Sequence, residues 1–139
     1  MTIQYSNKLR ALPRGIGKLG ALKKLTLASL KLQQMPDLIG LTSLGRLTIT
    51  LCGKLRALPR GIGNLGALKE LTLEWLNELQ EMPDLIGLTA LGSLTIQYSN
   101  KLRALPRRIG KLGALRELTL RWLDELQEMP DLIGLSAAA

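Results

Sequence analysis

Histidine and phenylalanine are missing from this 139-residue chain, and cysteine occurs once, at Cys52. Without histidine the chain lacks the commonest metal ligand and the side chain whose ordinary pKa lies nearest neutrality. A single cysteine excludes an internal disulfide, and no N-x-S/T glycosylation site is present. These absences fit a chain of cytoplasmic or recombinant origin. No apolar run approaches the roughly 18 residues of a membrane helix, and the N-terminus lacks a charged-then-apolar secretion signal. Catalysis has little to draw on. The serines have no evident base, Cys52 falls where burial is expected, and Glu78 and Glu81 read as part of a solvated face. No enzyme activity, cofactor or metal site is expected.

What is present is 46% apolar and 22% charged residues, in the range of soluble globular domains, with a net charge of +8. The charge is unevenly spread: residues 1–60 hold 11 Lys/Arg against one acid, Asp37, whereas residues 61–139 hold eight against ten. A stronger pattern lies beneath it. TIQYSNKLRALPR at 2–14 recurs unchanged at 95–107, with TITLCGKLRALPR between them at 48–60. LTLASLKLQQMPDLIGLTSL at 25–44 likewise recurs, lightly altered, from 71 and from 118. The chain is therefore a single domain of six units in ABABAB order, at about 1–24, 25–46, 47–70, 71–93, 94–117 and 118–139.

Each unit reads L-x-x-L-T-[IL], then two further leucines and a proline, as in Leu44, Leu47, Ile49, Cys52, Leu55, Leu58 and Pro59. The L-x-L alternation predicts a short strand with one buried face. After the proline, Ile62, Leu65 and Leu68 should return to the same core, which one unit alone cannot close. The pattern C-x-x-L-x-x-L-P-x-x-I-G-x-L resembles the leucine-rich repeats of plant nucleotide-binding immune receptors. That resemblance implies an α/β leucine-rich repeat solenoid, a horseshoe arc with a parallel sheet on its concave face and short 3₁₀ or irregular segments on its convex face. It also implies a binding role. The polar position usually filled by Asn or Cys is Ser6, Cys52 and Ser99 in A units but Leu30, Leu76 and Leu123 in B units, whose turn backbone must find another partner, such as water. Copies this similar point to recent duplication or to an engineered, consensus-like repeat.

GIGKLG at 15–20 satisfies the glycine spacing of a dinucleotide-binding loop, with Asp37 following. The third copy breaks it, because Arg108 stands at the first glycine's place. A phosphate cradle also needs a strand just before it and a helix just after; here Leu-Pro precedes, and the next strand is already due at Leu25. The glycines read as tight convex turns.

All four aromatic residues, Tyr5, Trp75, Tyr98 and Trp122, fall at one repeat position, shared by Ser29 and Leu51. With Glu74, Gln97 and Arg121 one residue earlier, this column is the candidate protein-binding surface on the concave face. Thr2, Thr26, Thr48, Thr72, Thr95 and Thr119 form a second column, read as ordinary exposed strand residues. The residue after each proline alternates in sign, Arg14, Asp37, Arg60, Asp84, Arg107 and Asp131, predicting a structural charge ladder between units. A second row, Lys54, Glu78, Lys101 and Glu125, repeats the alternation. Mixed charge on the concave face argues against nucleic acid as a partner, and nothing suggests a membrane.

The sequence opens inside a strand and closes on LIGLSAAA, with Ala138 where Leu91 stands one B unit earlier, so both ends read as uncapped. Self-association through the end units is expected on that basis. The function expected is a non-enzymatic repeat scaffold for protein binding or self-assembly. The alternatives are a ligand-sensing fragment of a plant-type immune receptor and, more remotely, an acidic-polymer binder using the basic N-terminal half.

Overall fold

The structure, a computed structural model, describes residues 1–4, 9, 11–59, 61–106 and 108–129. Six strands run through it: β1 (Thr2–Gln4), β2 (Lys24–Ala28), β3 (Arg46–Thr50), β4 (Glu70–Glu74), β5 (Ser93–Gln97) and β6 (Glu117–Arg121). They form one parallel sheet in sequence order. Corresponding repeat positions pair throughout, so Thr26 meets Thr48, Thr48 meets Thr72, and Thr72 meets Thr95. Period-two side-chain alternation explains the constancy of this register. Leu25, Leu47, Leu71 and Leu94, with Leu27, Ile49, Leu73 and Ile96, are each at most 1% exposed. A slip of one residue would exchange those leucines for the threonine row.

Each strand from β2 to β6 ends the same way. The next residue, Ser29, Leu51, Trp75, Tyr98 or Trp122, has a left-handed backbone with φ between 55° and 57°. Its N–H still serves the sheet in four cases: Ser29 donates to Thr50 O at 3.1 Å, Leu51 to Glu74 O at 3.1 Å, Trp75 to Gln97 O at 3.2 Å and Tyr98 to Arg121 O at 3.0 Å. The reversal in φ turns the chain off the sheet while keeping that hydrogen bond. A tight turn then returns a leucine to the core, as where Leu79 N–H donates to Leu76 O at 3.2 Å and Leu102 N–H to Ser99 O at 3.2 Å.

The convex side distinguishes the two unit types. A units carry 3₁₀ turns at Arg14–Lys18, Ile62–Asn64 and Ile109–Lys111, seating Ile16, Ile62 and Ile109 in the core. The described B units use aspartate instead. Asp37 Oδ1 accepts the Ile39 N–H at 2.9 Å, and Asp84 Oδ1 accepts the Ile86 N–H at 3.0 Å, the side-chain turn that Asp forms two residues ahead of itself. Neighbouring units touch closely here: a Cβ at Gly17 would lie 2.1 Å from Asp37 O, and one at Gly63 would lie 2.0 Å from Asp84 O. Only glycine permits that approach.

Between sheet and convex turns runs one leucine core, reaching from Leu12 to Leu115. At about 1.5–3 kcal/mol per fully buried leucine, this column of side chains is the main force holding the units together.

Candidate functional site

The repeat places the aromatic column one residue beyond the strands, along one edge of the sheet face. Trp75 and Tyr98 stack with ring centroids 4.3 Å apart and planes 7° from parallel. Tyr98 and Trp122 continue the stack at 6.3 Å and 11°. Trp75 is 43% exposed and Trp122 60%, while Tyr98 is half-buried between them. Leu51 extends the ridge by one unit and is 49% exposed. Sequence reasoning placed Leu51 in the aromatic column without assigning it to the site; its shared repeat position was the available signal. Tyr5 lies outside the described residues.

Offset or parallel stacking of aromatic pairs contributes about 0.5–1.5 kcal/mol beyond burial. A bulky residue in the left-handed region costs on the order of 1–3 kcal/mol. Nothing in the strand-end geometry requires a ring, since Ser29 adopts the same φ of 57°. The backbone conformation belongs to the repeat, and the aromatic content is added to it.

The polar candidates stand one residue earlier, in register: Glu74 pairs with Gln97, and Gln97 with Arg121. Gln97 Nε2 donates to Glu74 Oε2, and both side chains are half-buried. Arg121 is exposed at the end of β6. The ridge thus has a polar shoulder running from acid through amide to guanidinium.

Two members of the charge ladder, Asp37 and Asp84, have described side chains. Arg60, Arg107 and Asp131 lie outside the described residues, as does the side chain of Arg14. Asp84 pairs with Arg108, one residue beyond the expected Arg107. Asp37 and Asp84 also cap the backbone, so their alternation with arginine reflects turn chemistry as well as charge. The Ile86 N–H and then the Arg108 guanidinium hold the Asp84 carboxyl below its ordinary range. In the second row, Lys101 Nζ meets Glu78 Oε1 at 3.1 Å. A third pair, Arg46 Nε to Glu70 Oε2 at 2.7 Å, joins β3 to β4 and had no counterpart in the sequence reading. These pairs are roughly half exposed, so solvent screens them and each serves register more than stability.

The B-unit turn backbone finds its partner in protein. Ser99 Oγ accepts the buried Leu76 N–H at 3.4 Å and donates to Gln97 O at 3.3 Å. Cys52 holds the same place one A unit earlier. Its Sγ lies 3.4 Å from Thr50 O, burial pushes the thiol pKa up, and the Leu30 backbone N–H opposes that rise. Cys52 and Ser99, the polar residues of the second and third A units, therefore each serve the leucine turn of the B unit before them.

Among the described residues, no helix is long and apolar enough to cross a membrane. No protein-family model matches the chain, and comparison with curated proteins finds no match. The solved leucine-rich repeat domain of the type III effector XCV3220 (XopL) is similar at 34% identity and TM-score 0.85, over 96% of this chain and 48% of that one. The chain thus spans about half the length of that structure. A Leptospira interrogans leucine-rich repeat protein, LIC12759, has 24% identity over 95% of this chain and 48% of the other, with a TM-score of 0.32. Six parallel strands in chain order, leucine columns shared between units, short 3₁₀ convex turns and the effector-domain match together establish the fold as a leucine-rich repeat solenoid.

Proposed function

We propose that this chain is a non-enzymatic scaffold for protein binding, and that the ridge of Leu51, Trp75, Tyr98 and Trp122 is its anchor. One observation carries the reading: three aromatic rings stack in register and half-exposed, at a backbone position that does not need them. Exposed tryptophan and tyrosine on a rigid element are the residues that most often dominate protein interfaces. Glu74, Gln97 and Arg121 would supply polar contacts along one side. The similar domain occurs within a type III effector, which favours recognition inside a larger protein over a stand-alone role. The close identity of the repeats also supports a consensus-like origin, which leaves the ridge reading unchanged.

Both tryptophans of the chain lie in the ridge, so intrinsic fluorescence reports on it directly. Affinity capture with the native chain and with a Trp75→Gly, Trp122→Gly variant forms the test. Glycine suits the left-handed φ, so the variant should fold with its stability changed by about 1–2 kcal/mol at most, the stacking being lost and the strain relieved. A protein captured only by the native chain should shift its tryptophan emission on titration. Equal capture by both forms, or binding with no change in emission, would remove the ridge from the function.

A second reading is self-association through the end units. Leu118 and Leu120 of β6 are half-buried, whereas the equivalent Leu71 and Leu73 are at most 1% exposed. Another repeat would cover that apolar edge, whether from a second copy or from the same chain. Light scattering across a range of concentrations distinguishes a fixed monomer from an assembling species.

A further inference from the structure

Charge on the solenoid is segregated by flank as well as by chain half. On the flank where strands end, Lys54, Glu78, Lys101 and Glu125 alternate in sign from unit to unit. On the opposite flank, where strands begin, the balance is basic. Lys23, Gly45, Lys69, Gly92 and Arg116 form one row, joined by backbone hydrogen bonds of 2.8–2.9 Å from each residue's N–H to the carbonyl of the one before. Lys24 and Arg46 pair beside it at the first position of β2 and β3.

Two acids border this row. Glu70 is held by Arg46 at 2.7 Å, and Glu117 stands at the far end beside Arg116. Lys23, Lys24, Lys69 and Arg116 are exposed and make no ion pair among the described residues. A hollow of about 210 Å³ opens between units, lined by Lys23, Lys24, Gly45, Arg46, Lys69 and Glu70.

The glycines make the row a comb. A Cβ at Gly45 would have 3.7 Å to its nearest contact, Lys23 O, and one at Gly92 would have 3.8 Å to Lys69 O. Neither glycine has a positive φ. Crowding and backbone conformation therefore leave room for a side chain at both places, yet each is an open notch between two cations. With strands about 4.8 Å apart, cations two units apart stand roughly 10 Å apart.

We infer that this flank is a docking strip for the phosphodiester backbone of a single-stranded nucleic acid, bound without sequence preference. Lysine ammonium groups act as compact point charges that accept phosphates in many orientations. The row has no aromatic side chain to stack a base, so contact is with backbone phosphate, which positions without specifying. A single file of cations bordered by two acids suits a linear polymer better than a bilayer, which presents a broad anionic plane. The strip lies on a different face from the aromatic ridge, and the two readings stand or fall separately. Mixed charge on the sheet face led the sequence reading away from nucleic acid; the flank where strands begin instead sets four exposed cations, without ion pairs among the described residues, along one file.

The test is fluorescence anisotropy of a short labelled oligothymidylate over a salt series. With four phosphate contacts, log affinity should fall against log salt with a slope of about −3, a roughly 50-fold loss between about 50 and 200 mM. Lys23→Gln, Lys24→Gln, Lys69→Gln combined should flatten the slope to about −1 and weaken binding at least ~10-fold at the low-salt end. Lys31→Gln, Lys54→Gln, Arg103→Gln combined, the same charge change on the other flank, should leave binding within about twofold, since these side chains contact no phosphate. Equal weakening by both triple variants would reduce the effect to net charge and overturn the assignment. So would capture by phosphatidylserine vesicles without capture of the oligonucleotide, or equal affinity for poly-glutamate.

Discussion

Gly15 and Gly61 hold the same place in successive A units but not the same surroundings. A Cβ at Gly15 meets nothing within 4 Å, and Arg108 fills that place in the third A unit. Gly61 has φ +80°, and its Cβ would lie 2.8 Å from both Asp37 Oδ1 and Ile39 Cβ. Gly15→Arg should therefore shift the urea midpoint by no more than about 0.5 kcal/mol equivalent, as for an open surface site. Gly61→Arg should cost about 1–3 kcal/mol in overpacking and left-handed strain together. Comparable losses in the two variants would show that repeat position, not local contact, governs the glycine. Comparing the repeat copies showed that the first glycine of GIGKLG could be replaced, through Arg108. It could not show that Gly61 differs, because that difference lies in the φ of one residue and in side chains of the preceding unit.

At the scale of the element, the B-unit turn depends on Asp84 in two ways, through the Ile86 N–H and through Arg108. Both favour the charged carboxylate, so its folded pKa is depressed below the value of 3.8 it would have unperturbed. The sign follows directly. The stabilisation is fully present above that unperturbed value and is lost as pH falls through the depressed one. Asp84→Asn keeps an acceptor for the turn but loses the charge. Its melting temperature should lie below the native value at neutral pH and converge with it as pH falls through the depressed pKa of the native carboxyl. A gap independent of pH would assign the effect to packing instead. The element pattern itself was largely legible in sequence: the strands, the leucine columns and the 3₁₀ character of the A-unit turns follow from L-x-L spacing, proline and glycine. The partner of each turn was not. Ser99 bonding Leu76 and Cys52 facing Leu30 cross from one unit to its predecessor, and a polar residue in one repeat carries no mark of which neighbour it serves. The aromatic column was legible as a column, but its stacking geometry was not, because spacing fixes position and leaves ring orientation to packing.

For the whole molecule, the sheet contacts join only consecutive strands, from β1 with β2 through β5 with β6. Stability is then close to a sum of unit terms and nearest-neighbour terms. Leu73→Ala, at a site with no exposure in a central strand, should cost about 2–5 kcal/mol. Because the loss falls on one unit and its two interfaces, hydrogen exchange should rise first in β3–β5, and β2 should keep its protection longer. Uniform loss of protection across all strands would mean that the solenoid unfolds as a single block. The same locality explains why function is harder to read than fold here. Every unit repeats the rules of the core, whereas the ridge and the basic comb arise from which exposed positions happen to align across units.

Strand-to-strand contact in single file also sets how the domain would bear load. Tension applied along the solenoid axis pulls each strand away from its neighbour across the hydrogen bonds, loading one ladder at a time instead of shearing several together. The domain should open like a zipper under weak force. Each step would release one unit's contour of roughly 80 Å, at about 3.5 Å for each extended residue, and refolding could begin from whichever units remained closed.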